Sequence, residues 1–111
     1  MKQEIINDLI SWVDSNLDKR LTLDEVAERS GFSKWYLQHC FKANTGEPLA
    51  GYVRRSKLER AANALASSEK NVLAIAVDYG FDSYGTFARA FRNHFNVTPT
   101  AYRSAWSQGG K

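Results

Sequence analysis

Lys34, Trp35, Gln38, His39 and Lys42 recur with a helical period and fall on one side of a helix whose other side holds Leu37 and Phe41. Gln38 can read a base edge with its amide, and Trp35 can make apolar contact with a thymine methyl or a sugar. The two lysines supply charge for phosphates. The other reading of Trp35 is a half-buried packing residue. A second segment repeats the design: Phe87, Phe91 and Phe95 form an apolar stripe, opposite Tyr84, Gly85, Ala88, Arg89 and Arg92. The Arg89 guanidinium has the geometry for bidentate pairing with guanine, and equally for a phosphate contact or simple solvation. Gly85 either lets a backbone approach closely or merely weakens its helix.

Other chemistries find no matching pattern. The neighbours His39 and Cys40 project about 100° apart on a helix and cannot form a nucleophile–base pair. Cys40 is the only cysteine, which leaves no disulfide framework and reads best as a small core residue. His94 stands alone in the sequence. There is no carboxylate pair, glycine-rich phosphate loop or metal-ligand spacing, so the chain is not expected to be an enzyme or to need a cofactor or metal. No apolar run reaches membrane-spanning length, and the acidic, amphipathic start does not resemble a signal peptide. A soluble cytoplasmic setting with no membrane partner is expected.

Charge is divided unevenly along the 111 residues. Residues 1–30 hold four Lys or Arg against seven Asp or Glu, whereas residues 31–111 hold eleven against five. The basic excess lies where the two polar helix faces lie, as a polyanionic partner requires; a solvated basic surface would read the same way.

The elements that must position these residues are duplicated. Val26 to Gly46 (VAERSGFSKWYLQHCFKANTG) is echoed by Ile75 to Asn96 (IAVDYGFDSYGTFARAFRNHFN), with Ala27, Gly31 and Phe32 returning as Ala76, Gly80 and Phe81. After a one-residue insertion, Leu37, Phe41 and Lys42 return as Phe87, Phe91 and Arg92. Each copy is a helix, a glycine turn and a second helix, the helix-turn-helix arrangement. Ile5, Ile6, Leu9, Trp12 and Val13 predict a first helix ending near Leu17. Thr22 with Glu25 forms a capping box for a second helix, flanked by Leu21 and Val26 as a hydrophobic staple, and Gly31 stops it. Ser33 caps a third helix to about Asn44, closed by Thr45 and Gly46. Pro48 suits the first turn of a long fourth helix reaching Ser67. Asn71 caps a fifth from Val72 to Tyr79, Ser83 a sixth from about Tyr84 to His94, and Thr98 with Pro99 opens a seventh holding Tyr102 and Trp106.

The expected fold is therefore all-α, with about seven helices in two homeodomain-like helix-turn-helix subdomains, 1–47 and 67–106. They are joined by a central helix, 48–66, and followed by a disordered tail, 107–111. At 1.5 Å per residue the joining helix is about 28 Å long, against about 34 Å for a turn of B-DNA. That length can hold two recognition helices on one side of a duplex, and the shortfall favours bending or groove compression.

These segments resemble the AraC/XylS family of bacterial transcription activators, and within it the small MarA, SoxS and Rob group. The resemblance runs from Ile5 to Arg103. The group's GYSKWHLQRMF reads here GFSKWYLQHCF, Gly31 to Phe41, and the family's C-terminal signature reads IAVDYGFDSYGTFARAFRNHFNVTPTAYR, Ile75 to Arg103. It implies recognition helices in neighbouring major-groove segments of double-stranded promoter DNA, and activation through contact with RNA polymerase. Carried over by position, the base-contacting residues are Trp35, Gln38 and His39, then Tyr84, Gly85, Thr86 and Arg89. Phosphate contacts are expected from Ser33, Lys34, Lys42, Arg54, Arg55, Lys57, Ser83 and Arg92. Three positions depart from the group: His39 where Arg is usual, and Tyr84 and Gly85 in place of a Gln-Gln pair. His39 is shorter and Gly85 has no side chain, so the DNA sequence recognised does not transfer. A monomer without a small-molecule effector in this chain is expected. A helical protein-interaction module, or the DNA-binding part of a longer effector-responsive regulator, are the alternatives.

Overall fold

The computed structural model describes residues 2–19 and 21–109, apart from the side chains of residues 2, 3, 5 and 107–109. Among these are seven helices and no strand: α1 (Lys2–Ser15), α2 (Leu23–Ser30), α3 (Lys34–Thr45), α4 (Leu49–Ser67), α5 (Val72–Asp78), α6 (Tyr84–Phe95) and α7 (Pro99–Gly109). The chain divides into two compact units, residues 1–56 and 57–111.

In the first unit the helix boundaries follow local chemistry. The Thr22 hydroxyl accepts from the Glu25 amide at 3.1 Å, while the Thr22 amide donates to the Glu25 carboxylate at 3.3 Å, so both exposed donors at the start of α2 are satisfied. An N-cap of this kind contributes about 1 kcal/mol. Gly31 ends α2 with φ 80°, a left-handed conformation that a Cβ would strain. Leu9, Val13, Val26, Leu37 and Phe41 then bury together with Leu49 and Val53 from the start of α4. Helix α1 stops at Ser15, two residues short of the expected Leu17, because Asn16 turns back to donate its side-chain amide to the Trp12 carbonyl at 2.7 Å. Leu17 is buried nonetheless. The side chain of Ile5 lies outside the described residues. Pro48 precedes the first helical residue, and its carbonyl accepts from the Tyr52 amide at 2.9 Å.

The second unit is built the same way. Asn71 caps α5 by accepting from the Leu73 and Ala74 amides, and Ser83 caps α6 by accepting from Thr86. Asn96 closes α6 with φ 66°, the role Gly46 plays for α3. The core gathers Leu58, Ala61 and Leu65 of α4 with Ile75, Phe87 and Phe91. Phe91 meets Phe95 and Tyr102 in ring contacts, which seat α7. Arg103 donates from Nε to the Leu65 carbonyl at 3.0 Å and from Nη2 to the Ser68 carbonyl at 3.1 Å, satisfying acceptors at the end of α4. The backbone of α7 runs on to Gly109, through the first residues of the tail expected at 107–111. The expected tail residues 110 and 111 lie outside the described residues.

Candidate nucleic-acid interface

Burial separates the two faces of α3. Leu37, Cys40 and Phe41 are buried, while Lys34, Trp35, Gln38, His39 and Lys42 are exposed. Trp35 is 69% exposed, which rules out the packing reading in the free protein. Its indole lies nearly parallel to the His39 imidazole, with centroids 4.9 Å apart and an 8° angle between planes. The stack holds two exposed rings in one orientation and limits the entropy they lose on meeting a partner. Trp35, Gln38, His39, Lys42 and Ala43 line one shallow depression. Cys40 sits behind this face, and its contact with the Tyr36 hydroxyl pushes the phenol above its ordinary pKa.

The equivalent face of α6 carries Tyr84, Gly85, Thr86, Arg89 and Arg92, all exposed, with Phe87 and Phe91 buried behind. Ser83 holds the N-terminal turn, its hydroxyl donating to the Thr86 hydroxyl oxygen at 3.0 Å and accepting from the Thr86 amide at 3.1 Å. Thr86 is thereby fixed against its own helix start. Ser33 is committed in part as well, accepting from the Tyr36 amide at 3.1 Å.

The cations expected at phosphates divide by environment. Lys42, Arg54 and Arg92 are exposed. Lys34 is exposed too, but its ammonium lies 2.8 Å from the Asp24 carboxylate, and that hydrogen bond raises the lysine pKa. Arg55 is held by the Glu47 carboxylate and lies 5.3 Å from the Tyr52 ring. Lys57 is only 7% exposed, with its ammonium 6.0 Å from the Phe81 ring. Arg55 and Lys57 are thus engaged within the fold and less exposed than Lys34, Lys42, Arg54 and Arg92. Sequence reasoning missed Asp24 and Glu47, whose ion pairs compete with any phosphate. The Asp24 pair bridges ten residues of sequence, beyond helical spacing, and left no periodic signal. Among the described residues no group of His, Cys, Asp and Glu could hold a metal ion, and no helix is long and apolar enough to cross a membrane.

Two helix–glycine–helix units, each presenting the polar face of its second helix over a buried apolar core, define a helix-turn-helix protein. A helix-turn-helix domain family matches residues 26–105. The chain is 46% identical over 101 residues to the regulatory protein SoxS of Escherichia coli, covering 91% of this chain and 94% of SoxS. It is 45% identical over 108 residues to the transcriptional regulator Rob of Salmonella typhimurium, covering 96% of this chain but only 37% of Rob. An AraC-type transcriptional regulator from Chromobacterium violaceum matches with a TM-score of 0.85 at 30% identity, over 96% of this chain and 95% of that one. The DNA-binding domain of AdpA, solved with a target DNA, shares the fold with a TM-score of 0.89 at 22% identity, over 94% of each chain. The chain belongs to the AraC-type helix-turn-helix family and is a DNA-binding transcription regulator, not an enzyme.

Proposed function

We propose that the chain activates transcription by binding an asymmetric promoter site as a monomer, with α3 and α6 entering successive major-groove segments, and by contacting RNA polymerase. The observation that carries this reading is Trp35, a large apolar side chain held in the open on a polar helix face. Trp35, Gln38 and His39 read one half-site; Tyr84, Thr86 and Arg89, around the bare Gly85, read the other. Ser33, Lys34, Lys42, Arg54, Ser83 and Arg92 contact phosphates, giving affinity without sequence information. Arg55 and Lys57 join them only by leaving their present partners. Double-stranded DNA is the partner that the family supports. The cell compartment is the bacterial cytoplasm, where promoters are.

The test is selection of bound duplexes from a random pool, followed by affinity measurements on the selected site. An asymmetric two-part motif is expected. Trp35→Ala or Arg89→Ala should cost about 1–3 kcal/mol on that site and much less on random DNA. A palindromic motif overturns the monomer, and equal losses on both DNAs overturn the base-reading roles.

A further inference from the structure

Neither packing nor backbone conformation in the free protein demands a glycine at position 85. It lies within α6, exposed, with ordinary helical backbone, unlike Gly31, Gly46 and Gly80, whose φ values of 77° to 84° account for them. A Cβ built at Gly85 would meet only the Ser83 Oγ, at 3.9 Å, which is ordinary contact. Glycine is a poorer helix former than alanine. Gly85 is the second residue of α6, where neither steric room nor backbone angle demands a glycine, and it is exposed beside Tyr84, Thr86 and Arg89.

From this we infer that Gly85 brings the α6 backbone into direct contact with a thymine methyl, making the missing side chain a specificity element in its own right. The inference rests on the proposal that α6 enters the major groove. A glycine there offers a partner only a bare Cα and its backbone. The thymine C5-methyl is the apolar group that base pairs display in the major groove, and it is the complement of a Cα that brings no polar side chain. A Cβ at this position would occupy the space of the methyl.

The experiment compares the parent chain with Gly85→Ala on the selected site, on random DNA, and on selected sites in which each thymine in turn is replaced by uracil, which lacks the methyl. Because the added Cβ has room, Gly85→Ala should melt at the same temperature as the parent or higher. It should nevertheless bind the selected site about tenfold more weakly, with affinity for random DNA unchanged, and one thymine-to-uracil replacement should restore most of the loss. Undiminished binding to the selected site overturns the inference. Equal weakening on selected and random DNA places the contact on sugar and phosphate and also overturns it. Arg89→Ala, run in parallel, separates the failures: if Arg89→Ala loses specific binding while Gly85→Ala does not, α6 still reads DNA and only the role of Gly85 fails.

Discussion

Lys34 meets DNA, on the proposed reading, only by leaving Asp24. Both side chains are well exposed, so the pair contributes little to stability and is weakened by salt. Its larger effect falls on binding: a carboxylate beside a phosphate contact both occupies the lysine and repels the polyanion. Asp24→Asn is therefore expected to raise affinity severalfold for selected and random duplexes alike at low salt, read by fluorescence anisotropy. Unchanged or weaker binding removes Lys34 from the phosphate contacts. At this scale the site was partly legible in the sequence. The polar faces of α3 and α6 follow from periodicity alone, since Leu37 with Phe41 and Phe87 with Phe91 fix which side is buried. Lys57 was not legible: its burial beside Phe81 joins residues far apart in the chain, and charge alone marks a lysine for the surface.

The helices themselves were legible where their ends are set by neighbours in sequence. Thr22 with Glu25, Ser33, Ser83 and Asn71 each act within three residues, and all four cap as expected. Long-range ties left no such trace. Tyr52 of α4 donates its hydroxyl to Asp14 of α1 at 3.0 Å, across 38 residues, and packs edge-on against Phe41 of α3 at 5.3 Å. Burial, and then the Asp14 hydrogen bond, raise the Tyr52 pKa. The folded state thus favours the protonated phenol, so this contribution is complete below the unfolded tyrosine pKa of about 10 and is lost as pH rises through the higher folded value. Tyr52→Phe is expected to cost about 0.5–1.5 kcal/mol near neutrality, the usual worth of a hydrogen bond. The deficit should shrink in denaturant melts above about pH 10, where the parent loses the bond as well. A deficit that persists unchanged at high pH would assign it to ring packing instead of the hydroxyl.

At the scale of the whole chain, duplication is the property with the greatest consequence. Each unit has its own core, its own serine cap ahead of the second helix and its own exposed polar face, as the proposal of one half-site per unit requires. On the proposed reading two unlike faces in one chain need no second copy: Trp35, Gln38 and His39 differ from Tyr84, Gly85 and Arg89, so the site proposed for them is asymmetric. One protein per duplex is expected by analytical ultracentrifugation. Helix α4 supplies residues to both cores without a break, Leu49 and Val53 to one, Leu58 and Leu65 to the other. A continuous helix resists twisting far better than a Gly/Ser linker. If it fixes the spacing of the half-sites, inserting about five base pairs between them, half of the 10 to 10.5 that make a turn, carries one half-site to the far side of the duplex. Specific binding should then fall to the level of random DNA, while an insertion of a full turn tests reach alone. Equal affinity for the original and the half-turn site would mean that the units turn freely about one another, and two chains per duplex would mean that each reads its site with a partner copy.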